Sequence, residues 1–312
     1  MEINKIPVLP GEEKKIDVNI AKLPSHSPID ITITTYRSTN PGPVLLLTGG
    51  MHGDEINGVE IIRRIIERGL HRCSAGSVIC IPVINIYGFI HFSRYVPDGK
   101  DVNRSFPGNK NGSLASRIAY YLMKDIIPLI DFGIDFHTGG ADRTNYPQVR
   151  CKLDDERNKK LAEAFCAPFT LSSPYRPNSL RRSAAKEGKH IIVYEGGESS
   201  RFDEFAINEG IHGTVRLMNK MGMTDQYIDP VDETHIIKNS SWVRAGNSGV
   251  FLSTVKYGEL VQKNQAVGNI FDPFGDFELK VKAPATGYVI GLNHNPIVHQ
   301  GDALMHIGVV KR

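Results

Sequence analysis

Polar and apolar residues alternate along Lys15-Ile16-Asp17-Val18-Asn19-Ile20 and again along Ile29-Asp30-Ile31-Thr32-Ile33-Thr34. A period of two predicts strands with one buried face, here two antiparallel edge strands within residues 12–40. Asn40-Pro41-Gly42-Pro43 ends that pattern, and Val44-Leu45-Leu46-Leu47 begins a strand that is apolar on both faces. From Ile56 to Arg68 the period lengthens, so that Val59, Ile62 and Ile66 share a helical face with Gly69 as the stop. The run Val78 to Asn85 is again apolar and β-branched, and the three segments together spell strand, helix, strand.

The rhythm continues through a helix at Leu114 to Lys124, a strand at Phe132 to His137 and a helix at Asp154 to Phe165. It closes with a strand at His190 to Glu195 and a helix at Phe202 to Met221. Strands that end in glycine-rich or polar turns predict an α/β sheet with its site at the carboxyl edge. Ser93 to Gly112 is irregular and punctuated by Pro and Gly, the texture of a functional loop. Residues 141 to 182, apart from their helix, read as loops that shape the substrate's space.

From about Thr234 helical spacing vanishes and short strands with Gly turns take over. Gly249-Val250-Phe251, Gly258 and Val267-Gly268-Asn269-Ile270 recur as Gly287-Tyr288-Val289, Asn295-Pro296 and Leu304-Met305-His306-Ile307, which predicts a small pseudo-symmetric sandwich. Two domains are expected, residues 1–232 with the edge strands and residues 233–312 rich in β-structure.

Composition narrows the function classes. With 37 Lys plus Arg against 34 Asp plus Glu, the formal charge is +3, too small for a nucleic-acid or polybasic membrane surface. No apolar run approaches the roughly 20 residues that span a bilayer, and the start has no leader pattern, so a soluble cytoplasmic protein is expected. Cys73, Cys80, Cys151 and Cys166 lack C-x-x-C spacing and are expected to be free thiols. Recognition must then come from a site.

The turn Gly49-Gly50-Met51-His52-Gly53-Asp54-Glu55 places His52 and Glu55 three residues apart after the first buried strand. His137 ends another strand of the same sheet. Catalytic zinc takes three protein ligands and keeps one position open, and His52, Glu55 and His137 form such a His2Glu set. A proton acceptor is needed nearby; Glu195, directly before Gly196-Gly197, suits the role, with Glu198 to be considered. Arg94 and Asp101-Val102-Asn103-Arg104, in the irregular loop, offer forks for a carboxylate or a developing oxyanion.

Four blocks, Gly50 to Glu55, Asp101 to Gly108, Asp135-Phe136-His137 and Glu195-Gly196-Gly197, together resemble the succinylglutamate desuccinylase and aspartoacylase family of zinc carboxypeptidase-like hydrolases. The resemblance spans most of residues 40 to 222. It implies a mixed β-sheet between helices and one Zn2+ per chain on His52, Glu55 and His137. It further implies Glu195 as general base, Asn103 with Arg104 on the substrate carboxylate, Arg94 polarising the scissile carbonyl, and, at residues 178–185, a helix start that faces the pocket without a catalytic role. The tail, most clearly Val281 to Val289, resembles a biotinyl or lipoyl hammerhead domain. Such a carrier needs a lysine at the hairpin between its halves, where this chain has Asp272-Pro273-Phe274-Gly275-Asp276-Phe277, with Lys280 too late. The tail is therefore expected to cap the site or mediate assembly.

The function expected is a zinc amidohydrolase that deacylates a small N-acyl amino acid. A zinc carboxypeptidase or peptide-trimming hydrolase would use nearly the same residues, and a non-catalytic metal-binding protein is the reading from a different class. Neither nucleic acid nor membrane is an expected partner, and the oligomeric state, homo-oligomers included, is left open.

Overall fold

The computed structural model describes residues 1–310. A small hairpin, β1 (Glu2–Ile3) and β2 (Ile6–Pro7), precedes the antiparallel pair β3 (Glu13–Lys22) and β4 (Pro28–Arg37). Next come β5 (Val44–Thr48), α1 (Ile56–Glu67), β6 (Ser77–Ile81), α2 (Ile86–Ile90) and α3 (Leu114–Tyr121). This part of the chain is completed by β7 (Phe132–Gly139), β8 (Arg143–Cys151), α4 (Glu156–Phe165), β9 (Phe169–Ser172), α5 (Leu180–Lys186), β10 (His190–Glu198) and α6 (Glu204–Lys220).

The sheet runs β3-β4-β6-β5-β7-β10-β8, with β6, β5, β7 and β10 parallel and the flanking strands antiparallel. It is a mixed sheet between helices. Alternation along each strand fills its two sides: Leu45 and Leu47 join the core under α1, α4 and α6, while Leu46 joins the opposite one. Phe132, Ile134 and Phe136 of β7 and Ile192 and Tyr194 of β10 also face that first core. Side chains of opposite parity, Asp135, His137 and Glu195 among them, are left to the other face of the sheet.

Several boundaries differ from expectation for local reasons. The second buried strand stops at Ile81, because Asn85 caps a short helix by accepting from the Gly88 amide at 2.9 Å. β4 is flanked on both sides, so only β3 is an edge. The helix from Leu114 is α-helical to Tyr121 and widens to a π-turn over Leu122–Ile126.

The larger correction lies in residues 141 to 182, which hold β8 and β9 beside the expected helix, while α5 begins within the helix start expected at residues 178–185. Pro147 disguises β8, since proline cannot donate within a ladder. It is tolerated where pairing is interrupted on both sides. The register with β10 shifts between Glu195 and Gly197, and on the other side β8 changes partner, from β17 at Arg143 to Asn145 to β9 from Gln148 on.

The tail contains β11 (His235–Ile237), β12 (Asn239–Arg244), β13 (Gly249–Ser253), β14 (Leu260–Val261), β15 (Ala266–Phe271), β16 (Glu278–Lys282), β17 (Gly287–Asn293), β18 (Ile297–Val298) and β19 (Ala303–Val309). One sheet, β16-β15-β13-β18, faces β12-β19-β17, and Val243, Phe251, Val267, Val289, Met305 and Ile307 belong to a core of their own. The hairpin Asp272 to Phe277 ends in a loop held by the Asp272 carboxylate, while Lys280 lies within β16 opposite Asn269. β17 also pairs with β8, so the tail's second sheet continues the central one. No helix among the described residues is long and apolar enough to cross a membrane.

Candidate active site

Three adjacent parallel strands bring the candidate residues together. β5 leads through Gly49 and Gly50 into the turn that carries His52 and Glu55; Gly50 has φ +54°, a conformation side-chain-bearing residues rarely adopt. Gly53 packs against the Gly88–Phe89 backbone, where a Cβ has no room. His137 lies on β7, and Glu195 on β10 is its direct partner in register. Asn57 locks the arrangement: its Nδ2 donates to the Gly196 carbonyl at 3.3 Å and its Oδ1 accepts from the Asp203 amide at 3.2 Å. The turn after β5 is thereby tied to the end of β10.

His52, Glu55 and His137 are buried, and their ligand atoms lie within 4.8 Å of one another. His52 Nδ1 is 2.7 Å from Glu55 Oε1, and His137 Nδ1 is 2.8 Å from Glu55 Oε2. Each ring has a carboxylate behind it: His52 Nε2 is 3.3 Å from Asp101 Oδ1, and His137 Nε2 is 2.9 Å from Asp135 Oδ2. Asp135 is held in turn by the Thr48 hydroxyl at 2.8 Å. Carboxylates at Nε2 favour a hydrogen there, which would leave both Nδ1 lone pairs to a cation at the centre.

Burial alone would raise the Glu55 carboxyl, but the imidazoles of His52 and His137 hold it well below the usual carboxylate range. Burial likewise works against a charged His137, yet Asp135 and Glu55 hold it well above the usual imidazole value. His52 is raised in the same way, against burial, by Glu55 and Asp101. Three carboxylates around two imidazoles thus favour positive charge at their centre. Two imidazole nitrogens and a carboxylate are the donor set that a zinc ion satisfies, so the residues fit the metal.

Above this cluster lies a cavity of about 380 Å³ lined by His52, Glu55, Arg94, Asn103, Arg104, His137 and Glu195, so every expected site residue reaches it. Arg94 grips Asp101 Oδ2 through Nε and Nη2, at 3.1 and 2.8 Å, and its Nη1 lies 3.4 Å from Glu55 Oε1. Asn103 Oδ1 accepts from the Leu180 amide at 3.0 Å, which joins the irregular loop to the start of α5. Arg104 Nη1 donates to the Asn103 carbonyl at 2.6 Å. Glu195 accepts from Asn145 Nδ2 and pairs with Arg150 at 3.2 Å. Glu198 lies beyond a shift in register, bonded to the Thr144 hydroxyl at 3.1 Å, and is not part of the wall.

Residues without an expected role also line the cavity. Arg143, Asn145 and Arg150 come from the disguised strand β8, and Arg176 and Arg181 from the approach to α5 and its first turn. Arg181 is nearly buried and donates to neutral oxygens, including the carbonyls of Arg150 and Pro174 at 3.1 and 2.8 Å, and among the described residues it forms no direct ion pair. Trp242 enters from β12 of the tail. Asp135 was visible as the residue two before His137, hence on the same strand face, and Arg181 lies in the helix start expected to face the pocket; the other arginines carried no such signal.

Comparison with known proteins agrees with this geometry. Residues 41–221 match the family model described as the succinylglutamate desuccinylase/aspartoacylase catalytic domain. An N-α-acetyl-L-2,4-diaminobutyric acid deacetylase of Halomonas elongata is 28% identical over 285 residues, 86% of this chain and 83% of that protein. The crystal structure of a succinylglutamate desuccinylase/aspartoacylase from Rhodobacter sphaeroides superposes with a TM-score of 0.84 at 25% identity, covering 96% of this chain and 95% of the other. The product-bound ectoine utilization protein EutE (DoeB) of Ruegeria pomeroyi shares the fold, with a TM-score of 0.84 at 22% identity over 97% and 98% of the two chains. Matched over more than half its length by the family model, and along nearly all of it in fold, this chain belongs to the succinylglutamate desuccinylase/aspartoacylase family.

Proposed function

We infer that the protein is a zinc-dependent amidohydrolase that removes the acyl group from a small N-acyl amino acid. The observation that carries this reading is the convergence of His52 and His137 Nδ1 on the two oxygens of Glu55, with Glu195 one strand away. A cavity of about 380 Å³ suits a small molecule better than a peptide. The deacetylase named for the Halomonas relative supports the same chemistry.

His52, Glu55 and His137 would hold the zinc, which would supply Lewis acidity toward the amide carbonyl and the attacking water. Glu195 accepts the proton of that water and returns it to the leaving amine, the work of a general base that becomes a general acid. Arg94 offers guanidinium donors to the carbonyl oxygen as charge develops on it. Asn103, whose Oδ1 is engaged by Leu180, has its amide nitrogen free to join Arg104 on the substrate carboxylate.

The hydrolase domain is assigned to residues 1–232 and the β domain to residues 233–312, supported by the separate core of the latter. The four thiols, three of them buried and none in a disulfide, suit a reducing cytoplasm. Zinc-loaded protein should be offered N-acetyl and N-succinyl amino acids beside peptides with free carboxyl termini. Turnover of the acyl amino acids is expected; turnover of the peptides alone would replace this reading with a carboxypeptidase.

A further inference from the structure

Trp242 is the chain's sole tryptophan, and with it the tail forms part of the cavity wall, the indole residue being 40% exposed. Its ring lies flat on His306, its direct partner across β12 and β19, with centroids 4.2 Å apart and planes within 2°. His306 is almost buried, and burial, with Arg150 nearby, pushes its pKa down to about 4. The stack is therefore between two neutral rings, and it fixes the indole without a charge that needs solvation.

The row continues toward the base. His306 faces Gly291 on β17, and Gly291 faces Asn145 on β8, the residue that donates to Glu195. A Cβ on Gly291 would stand 2.9 Å from Asn145 Oδ1 and 3.5 Å from His306 Cβ, so these side chains share one sheet face. Glycine there lets the imidazole and the amide approach each other. Trp242 and the catalytic carboxylate thus stand on one continuous surface, although 47 positions of chain separate them.

Six arginines, Arg94, Arg104, Arg143, Arg150, Arg176 and Arg181, give the rest of the wall its character, and Trp242 and Val193 are its large apolar side chains. The carboxylate of an acyl amino acid finds ample partners among the guanidiniums. Its acyl carbons do not, because apolar surface gains most when it leaves water for apolar surface.

We propose that Trp242 seats the aliphatic acyl group and limits its length. The inference rests on the deacylase reading above. Two readouts test it. The first is kcat/KM for the acetyl, butyryl and hexanoyl derivatives of one amino acid, on zinc-loaded wild-type, Trp242→Phe and Trp242→Ala proteins. The second is tryptophan emission of the Glu195→Gln protein as N-acetyl amino acids are added; with a single tryptophan, the signal reports this wall alone.

Trp242→Ala should raise the hexanoyl-to-acetyl ratio about 10-fold or more, the scale on which apolar pockets discriminate chain length, with Trp242→Phe between. The emission should change saturably with the acetyl derivative. Intact hydrolysis with an unchanged ratio and a silent emission would overturn the proposal and leave the deacylase reading standing. A saturable emission change with no hydrolysis of any derivative would overturn the deacylase reading and retain the seat at Trp242. Silence in both readouts would overturn both.

Discussion

Glu195 and His137 are direct partners across two parallel strands, β10 and β7, so the expected proton acceptor and an expected metal ligand stand side by side on one sheet face. Neither position depends on a loop. The spacing between Glu195 and His137 is set by strand pairing itself, and a substitution at Glu195 should leave the cluster of His52, Glu55 and His137 undisturbed.

Glu195→Gln keeps the shape of the side chain and its contact with Arg150 but removes the proton acceptor. It should lower kcat by about 100-fold or more, the usual contribution of a general base. Zinc content, measured on the same preparation, should be unchanged. Loss of zinc together with activity would make Glu195 a metal ligand.

Asp101 and Asp135 stand behind His52 and His137 and fix which imidazole nitrogen carries the hydrogen. Asp101→Ala and Asp135→Ala should each weaken zinc binding about 10- to 100-fold, read by competition with a chromophoric chelator. Wild-type affinity in both variants would mean that the rings are oriented by packing alone.

Much of this arrangement is legible in the amino-acid sequence, because it is written in local patterns. Glycines after apolar runs mark where β5, β7 and β10 end, and each polar residue there has nothing apolar to pack against. What escapes is the part that depends on distant pairing. β8 breaks the strand pattern with Pro147, and only the change of partner from β17 to β9 explains why that proline is allowed. Arg143, Asn145 and Arg150 are hidden with it. Trp242 lies some 105 positions from His137, and its place in the cavity follows from β17 pairing with β8, a contact that no periodicity announces.

Asn57 is fully buried and bridges the turn after β5 to the Gly196 carbonyl and the Asp203 amide. Asn57→Ala leaves both backbone groups without that partner and should cost about 1–3 kcal/mol in urea unfolding. It should also lower activity by loosening Glu195 against the metal cluster. Unchanged stability would show that water replaces the amide at no cost.

His306 gives a pH signature. Its folded pKa of about 4 lies below the ordinary value of 6.5, because burial and then Arg150 disfavour the charged ring. The unfolded chain therefore takes up the proton first as pH falls. Stability from this group is present above the unfolded value and declines between pH 6.5 and 4, by roughly 2 kcal/mol on reaching pH 5. Urea midpoints at pH 7 and pH 5 should converge more in His306→Phe than in wild type; equal slopes would contradict the assignment.

The central claim is that one zinc ion, held by His52, Glu55 and His137, makes this chain a deacylase. Its most direct test is a titration of chelator-stripped protein with zinc while hydrolysis of an N-acyl amino acid is followed. Activity should rise linearly and level off at one zinc per chain, and His52→Ala should remain inactive throughout. Full hydrolysis by the stripped protein, or none at any zinc ratio, would contradict the account.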